Sequence, residues 1–212
     1  MPSAAKTTKR RGRRQGEPVS RDAVLSAAKQ RFATEGYEKT TLRVIAQDAH
    51  VDPSMVLYLF GSKEELFRES LRLIIDPEVL VAALTGAADD DPDIGTRMVR
   101  TYLRIWETPD TAASMRVMLQ SATSNSDAQD AFRGFMQNYV LTAVSGVLGG
   151  GDEARLRAIL AASTLVGTAM LRYIIQVPPL ATLSADEVVK LIAPAVTRYL
   201  VAPADELGLP EL

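Results

Sequence analysis

The sequence predicts an all-α protein: an N-terminal three-helix domain of the helix-turn-helix type, followed by a larger helical body, about nine helices in all. Apolar residues recur at helical spacing, and no segment shows the alternating pattern of a strand. Residues that start and stop helices separate the segments, and aromatic residues make up only 6% of the chain. These observations favour helices packed on helices, with no sheet.

The first helix is predicted over residues 21–35. Ser20 can cap its N-terminus, and Asp22 places a negative charge in its first turn. Gly36 follows as the stop, since glycine is the residue that ends helices most readily. The apolar residues of this segment share one face, which we expect to be buried: Val24, Leu25, Ala28 and Phe32.

The stretch from Thr40 to Leu66, TTLRVIAQDAHVDPSMVLYLFGSKEEL, is the most informative part of the chain. A second helix begins at Thr40 or Thr41, and residues 48–51 form a turn. A short third helix over 53–59 is predicted because Asp52 can cap it and proline is tolerated at a first helical position. A helix-turn-helix uses such a short second helix to read the major groove of DNA.

A fourth helix and a longer helical region follow. Gly61 ends the short helix, and Ser62 with Glu65 forms a capping box for the next one. Asp76-Pro77 and residues 87–92 predict breaks between helices. Ser184 and Glu187 form a second capping box before the last helix. The predicted helices of the body cover residues 94–107, 111–123, 128–148, 153–176 and 185–201.

Charge is distributed unevenly along the chain. Residues 1–75 carry 14 Lys or Arg and 9 Asp or Glu, whereas residues 76–212 carry 10 and 17. A basic head on an acidic body suits a polyanion bound at one end only. The basic residues 1–19 predict a disordered arm that follows DNA phosphates or enters a minor groove, with a solubilising tail as the alternative.

Several classes of protein are disfavoured by composition. The chain has no cysteine, so no disulfide or thiolate metal site is expected, and the cytoplasm is the expected location. No apolar run suggests a membrane span or a secretory signal. His50 is the sole histidine, and the acidic cluster 89–93 lacks the glycine and final glutamate of an EF-hand. We therefore expect no enzyme, no metal and no cofactor.

The segment from about 21 to 70 resembles the DNA-binding domain of TetR-family transcriptional regulators. Residues 76–212 resemble the regulatory domain of that family only in length, helical character and position. His50 stands in the turn where the family usually has glycine, and Tyr58 is displaced from the family's usual tyrosine position. The matching motifs are Phe32-x-x-x-Gly36-Tyr37, Thr40-Thr41-Leu42-x-x-Ile45-Ala46, Val51, and Tyr58-x-Phe60-Gly61-Ser62-Lys63-Glu64-Glu65-Leu66.

The resemblance implies a homodimer that binds a near-palindromic double-stranded DNA operator. It also implies a pocket for a small-molecule effector in the larger domain, domains spanning residues 20–75 and 76–212, and a role as a ligand-responsive repressor. Effector binding would change the spacing of two reading helices that must lie in successive grooves. Activation in place of repression, or a helical protein-interaction module, remains open as an alternative.

Eight residues are candidates for contacts with DNA. Thr40 and Thr41 are either plain caps or caps that also bind phosphate. Met55 contacts a thymine methyl or only fills the helix, and Tyr58 binds DNA or packs internally. Lys63 is a candidate phosphate clamp, with an exposed charge as the alternative. The full set is Thr40, Thr41, Arg43, Pro53, Ser54, Met55, Tyr58 and Lys63.

Two further sets of residues lie in the predicted body. Methionine and aromatic residues on helix faces either form core or line a pocket for an apolar or amphipathic effector. Those candidates are Met98, Tyr102, Trp106, Met115, Met118, Phe135, Met136, Tyr139, Met170 and Tyr173. The two last helices either close the core of one chain or pair with a second copy. Their interface candidates are Leu156, Ile159, Leu160, Ser163, Gly167, Leu171, Val188, Leu191, Ile192, Ala195 and Tyr199.

Overall fold

The computed structural model describes residues 21–86 and 93–211, and all regular structure within these ranges is helical. The predicted basic arm, the Ser20 cap and the acidic residues 89–91 lie outside the described residues. The helices are α1 (Arg21–Lys39), α2 (Leu42–Asp48), α3 (Pro53–Phe60), α4 (Lys63–Leu71), α5 (Pro77–Thr85), α6 (Ile94–Glu107), α7 (Pro109–Ser124), α8 (Ser126–Phe135), α9 (Leu141–Val147), α10 (Gly151–Ala169), α11 (Ala185–Val201) and α12 (Ala204–Leu207). The predicted fold class is confirmed.

Helices α1 to α4 form the head around an aromatic cluster. The rings of Phe32 and Phe67 lie edge to face with centroids 4.9 Å apart, and Tyr37 meets Phe67 at 5.1 Å. The predicted apolar face of α1 is buried, with Val24 and Ala28 fully excluded from solvent. Gly36 interrupts the helix at φ 78° and ψ 173°, which turns the chain so that Tyr37 enters the cluster.

Helix α5 was missed by the sequence interpretation, which treated Asp76-Pro77 as a break. These two residues start a helix instead: Asp76 accepts a hydrogen bond from the Glu78 backbone N–H at 2.9 Å, and Pro77 occupies the first turn. Leu80 and Leu84 are buried on its inner face. The short α12 is a second helix beyond those predicted.

Two of the predicted long helices contain π-helical turns. The predicted helix 128–148 appears as α8 and α9, joined through a π turn at Met136–Val140. Likewise α10 continues through a π turn at Met170–Ile174. Such turns are rare and are often found at functional sites.

Helices α6, α10 and α11 pack together in the body. Gly95 of α6 lies against α11 so closely that an added Cβ would stand 2.4 Å from the Ala193 carbonyl oxygen. Asp93 caps α6 and accepts a hydrogen bond from the Thr197 hydroxyl on α11. The inner side of α11 is thereby fixed to α6.

Residues Gly151–Ile174 form a helix long and apolar enough to cross a membrane, with a mean hydropathy of 1.3 over its best window. The sequence interpretation found no such segment. One helix of this kind is weak evidence of a span, because the core helix of a water-soluble bundle has the same properties. Here the helix packs on α11 and α9, and its Arg157 is buried, donating to the carbonyls of Tyr199 and Ala202.

Candidate nucleic-acid interface and internal cavity

The turn between α2 and α3 is a short, hydrogen-bonded segment. The Val51 N–H donates to the Ala46 carbonyl at 2.9 Å, and His50 N–H donates to the Gln47 carbonyl at 3.2 Å. His50 adopts φ 55°, the left-handed conformation expected where related sequences carry glycine. The turn therefore has the local geometry of a helix-turn-helix.

Helix α3 is anchored on one side and open on the other. Asp52 caps it by accepting the Ser54 N–H at 2.8 Å, and Val56 and Phe60 are buried in the head. Tyr58 is 84% exposed and Leu57 is 49% exposed. Pro53 and Ser54 are also exposed, and Met55 is half-buried. The outer surface of α3 therefore presents a tyrosine, a leucine and small residues. Leu57 was not among the predicted contacts.

The two threonines before α2 differ. Thr41 is exposed and caps α2, accepting the Val44 N–H at 3.3 Å. Thr40 is fully buried, and its hydroxyl donates to the Gly36 carbonyl at 2.7 Å. The hydroxyl of Thr40 is therefore not at the surface, because it closes the turn after α1. Arg43 is exposed on the first turn of α2 and forms no ion pair within residues 21–86 or 93–211.

Lys63 opens α4, where Ser62 caps the helix by accepting the Glu65 N–H at 3.0 Å. The Lys63 ammonium lies 4.2 Å from the centre of the Tyr37 ring. Burial lowers the pKa of Lys63. Burial also raises the pKa of Tyr37 to about 12. Lys63 is held at a helix N-terminus by a cation–π contact, so its position is better defined than that of a free surface lysine.

An ion-pair cluster holds α2 against α1. The Arg31 guanidinium donates to both carboxylate oxygens of Asp48 and to Glu35. This guanidinium keeps the pKa of Asp48 below its usual value. Arg31 and Asp48 are 17 positions apart and no local pattern links them, so this contact has no signal in the sequence.

The head joins the body through α7 and α8. The Tyr37 backbone N–H donates to the Ser121 hydroxyl on α7 at 3.1 Å. On the other side, Arg68 of α4 lies against Gly134 of α8, where an added Cβ would meet its side chain at 3.3 Å. Two separate helices of the body therefore support the head.

The body encloses an apolar cavity of about 60 Å³. Four of the predicted effector residues line it: Met98, Tyr102, Met115 and Met136. The small and branched residues of α10 form another wall that was not predicted: Ala158, Ala161, Ala162, Leu165 and Val166. Helical spacing predicts that these positions are buried or paired with another helix. It does not predict which of them border a cavity.

Six predicted effector residues do not line this cavity. Trp106 and Tyr173 stack on each other with centroids 5.3 Å apart. Met118 is fully buried among packed side chains, and Met170 lies in the π turn that follows α10. The remaining two are Phe135, which is fully buried, and Tyr139, which lies beneath the Arg72 guanidinium. Apart from Met170, which is half-buried, they fill the core or the head–body joint, as the alternative interpretation of these apolar faces allowed.

The outer side of α10 and α11 is open and apolar, and we call it the α10–α11 face. Leu191 is 64% exposed, and Ile159 and Leu171 are each 44% exposed. The other predicted interface residues on this side are exposed or half-buried: Leu156, Leu160, Ser163, Gly167, Ile192, Ala195 and Tyr199. Val188 is a correction: it is fully buried inside the chain, because it lies on the side of α11 that faces the core.

The fold and the open α3 surface together define a helix-turn-helix DNA-binding regulator. Residues 24–70 match the family model for bacterial regulatory proteins of the tetR family, and residues 92–200 match that for the tetracyclin repressor-like C-terminal domain. The chain therefore belongs to the TetR family of transcriptional regulators, as its motifs predicted.

Individual relatives agree with this assignment. The chain is 35% identical to a TetR-family regulator from Streptomyces coelicolor A3, with 89% of this chain and 98% of that one aligned at a TM-score of 0.60. It is 34% identical over 102 residues to the transcriptional regulator RutR of Escherichia coli K12, covering 48% of this chain and 45% of RutR. It is 35% identical over 74 residues to BetI of Rhizobium meliloti, covering 34% and 36%. These matches span less than half the length of the curated relatives.

Proposed function

We propose that this protein is a homodimeric repressor that binds a near-palindromic operator and releases it when a small molecule enters the body. The observation that carries the DNA-binding part is the anchored α3 helix with Tyr58 almost wholly exposed. The opposite face of α3 is fixed in the head, so the exposed ring and hydroxyl of Tyr58 are free to contact a partner. DNA suits such a residue, because it offers polar phosphates beside stacked bases.

Contacts with DNA divide into positioning and reading. Thr41 at the N-terminus of α2, Arg43 one turn further on and Lys63 at the start of α4 are the proposed phosphate contacts. Ser54, Tyr58 and the apolar Leu57 are the proposed groove contacts, and a leucine side chain can pack on a thymine methyl. Pro53 and Met55 support this surface. Because most of these contacts reach phosphates, binding should weaken strongly with salt.

Dimerisation is proposed through the α10–α11 face. Monomeric proteins rarely expose a contiguous apolar surface of this kind without a partner. Gly167 lies in this face with open space around it, which lets another helix approach its backbone closely. A symmetric pair of these faces would form a four-helix interface and set the distance between the two α3 helices.

The proposed response to an effector follows from the helices shared by cavity and head. Met115 of α7 lines the cavity, and Ser121 of the same helix holds the Tyr37 backbone. Phe132 of α8 also lines it, and Gly134 of that helix lies against Arg68. A molecule that moves these walls would move the head, and a small shift of both heads misaligns them with successive grooves.

The test is binding of labelled duplexes tiled across the DNA upstream of the chain's own gene, followed by fluorescence anisotropy. We expect a duplex that is bound at about 50 mM salt and at least tenfold more weakly at about 200 mM. Arg43→Gln should weaken binding, whereas Arg100→Gln, which removes an exposed arginine of the body, should not. Absence of duplex binding at low salt would favour a helical protein-interaction module. In vitro transcription from the bound promoter separates repression from activation.

A further inference from the structure

Two buried polar side chains on α6 form no hydrogen bond of normal geometry with any described residue. The hydroxyl of Tyr102 and the indole N–H of Trp106 lack a hydrogen-bond partner among the described residues. Tyr102 is only 7% exposed and Trp106 only 3%. Buried polar groups are satisfied in nearly all native proteins, so two such donors one helical turn apart require an explanation.

The surroundings of Tyr102 are almost entirely carbon. Its hydroxyl is the sole side-chain oxygen or nitrogen among the residues that line the cavity. Burial raises the pKa of Tyr102 to about 12, so the hydroxyl stays protonated at neutral pH. The proximity of the Trp106 indole N–H to the Tyr102 oxygen acts in the opposite direction and is the smaller effect. The Tyr102 hydroxyl is therefore the donor that this cavity offers, and no charged residue is among the described residues that line it.

A water molecule is a poor occupant of this position. A buried water usually makes about three hydrogen bonds, and an apolar cavity that offers fewer partners tends to stay dry. An organic molecule that buries carbon against the walls and accepts a hydrogen bond from the Tyr102 hydroxyl satisfies both requirements. An ionised ligand would enter without a compensating charge.

We propose that this cavity binds an uncharged, mainly apolar molecule with one hydrogen-bond acceptor, such as a ketone or ester carbonyl, which accepts from the Tyr102 hydroxyl. This inference rests on the proposed function in taking the cavity as the effector site.

The cavity can enlarge on the side formed by α8, the helix that supports the head. At about 60 Å³ it holds a small group, and a larger molecule must move its walls. Met98, Met115 and Met136 are walls of flexible side chains. Met136 begins the π turn between α8 and α9, so displacement at this point acts on the helix that supports α4.

The experiment uses three probes of one shape. Cyclohexanone carries the acceptor, methylenecyclohexane replaces the carbonyl oxygen with CH₂, and cyclohexanecarboxylate adds a negative charge. Trp106 is the single tryptophan of the chain and lies one helical turn from Tyr102, so its fluorescence serves as a nearby reporter of binding at the cavity. Calorimetric titration gives a second measure of affinity. The variants are Tyr102→Phe, which removes the donor and keeps the ring, and Tyr139→Phe, a matched change outside the cavity.

We expect Tyr102→Phe to weaken cyclohexanone binding by about five- to tenfold, the usual value of one hydrogen bond, and to leave methylenecyclohexane within about twofold. Tyr139→Phe should leave both affinities unchanged, and the carboxylate should bind more weakly than the ketone. The inference is overturned if cyclohexanone does not bind, if both neutral probes respond equally to Tyr102→Phe, or if the carboxylate binds tighter than the ketone.

Failure of the proposed function is measured separately, by duplex anisotropy with and without cyclohexanone. If the protein binds the duplex but the three probes do not give the expected pattern of affinities, this inference alone is overturned. If the three probes give the expected pattern but the protein does not bind the duplex, the proposed function alone is overturned.

Discussion

The outer surface of α3 and the α10–α11 face both leave large apolar side chains in solvent, yet they differ in their surroundings. On α3 the exposed residues are Tyr58 and Leu57, on a head whose neighbouring positions include the exposed Arg43 and the N-terminus of α2. On the α10–α11 face the exposed residues include Leu191, Ile159 and Leu171, with small residues between them.

The difference shows that exposure alone does not identify a partner. A narrow apolar surface beside cationic groups suits nucleic acid, where phosphates supply affinity and base edges supply selectivity. A broad apolar surface with small residues and open backbone suits another helix. Four predictions follow from this contrast, and we order them by the size of the expected effect.

The largest effect is expected on the α10–α11 face. Leu191→Arg places a charge in the centre of the proposed interface, where burying it without a partner is unfavourable. We expect a monomer by analytical ultracentrifugation and a loss of operator affinity of about 100-fold or more, since two linked heads no longer bind together.

The matched control for Leu191→Arg is Val79→Arg on α5, where Val79 is similarly exposed but lies outside the α10–α11 face. It should remain dimeric and bind the operator normally. If the Leu191→Arg variant stays dimeric, the α10–α11 face is not the dimer interface.

The second prediction concerns the packing of α6 against α11, which holds the α10–α11 face from the inside. Gly95→Ala would place a Cβ 2.2 Å from the Thr197 hydroxyl and 2.7 Å from the Thr197 nitrogen, so α6 and α11 must separate. We expect a loss of about 2–3 kcal/mol in the free energy of unfolding, measured by urea denaturation. Gly146→Ala, whose added Cβ meets no atom within 4 Å, should instead stabilise the helix by roughly 0.5–1 kcal/mol.

The third prediction tests the other surface. Tyr58→Ala should lower operator affinity by about tenfold, and Tyr58→Phe by less, because the ring remains and only the hydroxyl contact is lost. Thermal unfolding should not change for either variant, since the side chain is exposed. Equal operator affinity in all three proteins would mean that α3 reads DNA without its tyrosine.

The sequence predicted the head in more detail than the body, for a physical reason. Helix ends are set by local chemistry, so the capping roles of Asp52 and Ser62 followed from their immediate neighbours. Local chemistry did not show which of Thr40 and Thr41 is exposed, because the burial of Thr40 depends on the turn of the chain at Gly36.

In the body, periodicity identified which residues are apolar but not what they contact. Met98 and Met118 have similar patterns, yet only Met98 lines the cavity. Val188 belongs to the same apolar set as Leu191 but faces inward. These distinctions depend on helix rotation and on the π turns, which arise from tertiary packing and leave no clear local signal.

The smallest expected effect concerns pH and the contact that fixes α11 to α6. The Asp93 carboxylate accepts hydrogen bonds from the Thr197 and Thr96 hydroxyls, and these lower its pKa to about 2 from an unfolded value of 3.8. Because the folded pKa is the lower one, its stabilising contribution is complete above pH 3.8 and is lost as the pH falls towards 2. Asp93 is largely exposed, so after allowing for solvent screening we expect only about 1 kcal/mol.

Urea denaturation at neutral and acidic pH checks this value. The wild-type protein should lose more stability on acidification than Asp93→Asn, which keeps the side-chain shape but cannot ionise. Identical pH dependence in the two proteins would show that this carboxylate does not hold α11 in place. The rigidity of the α10–α11 face would then have to come from the other contacts of α11, which include the packing of Gly95 and the hydrogen bonds from Arg157.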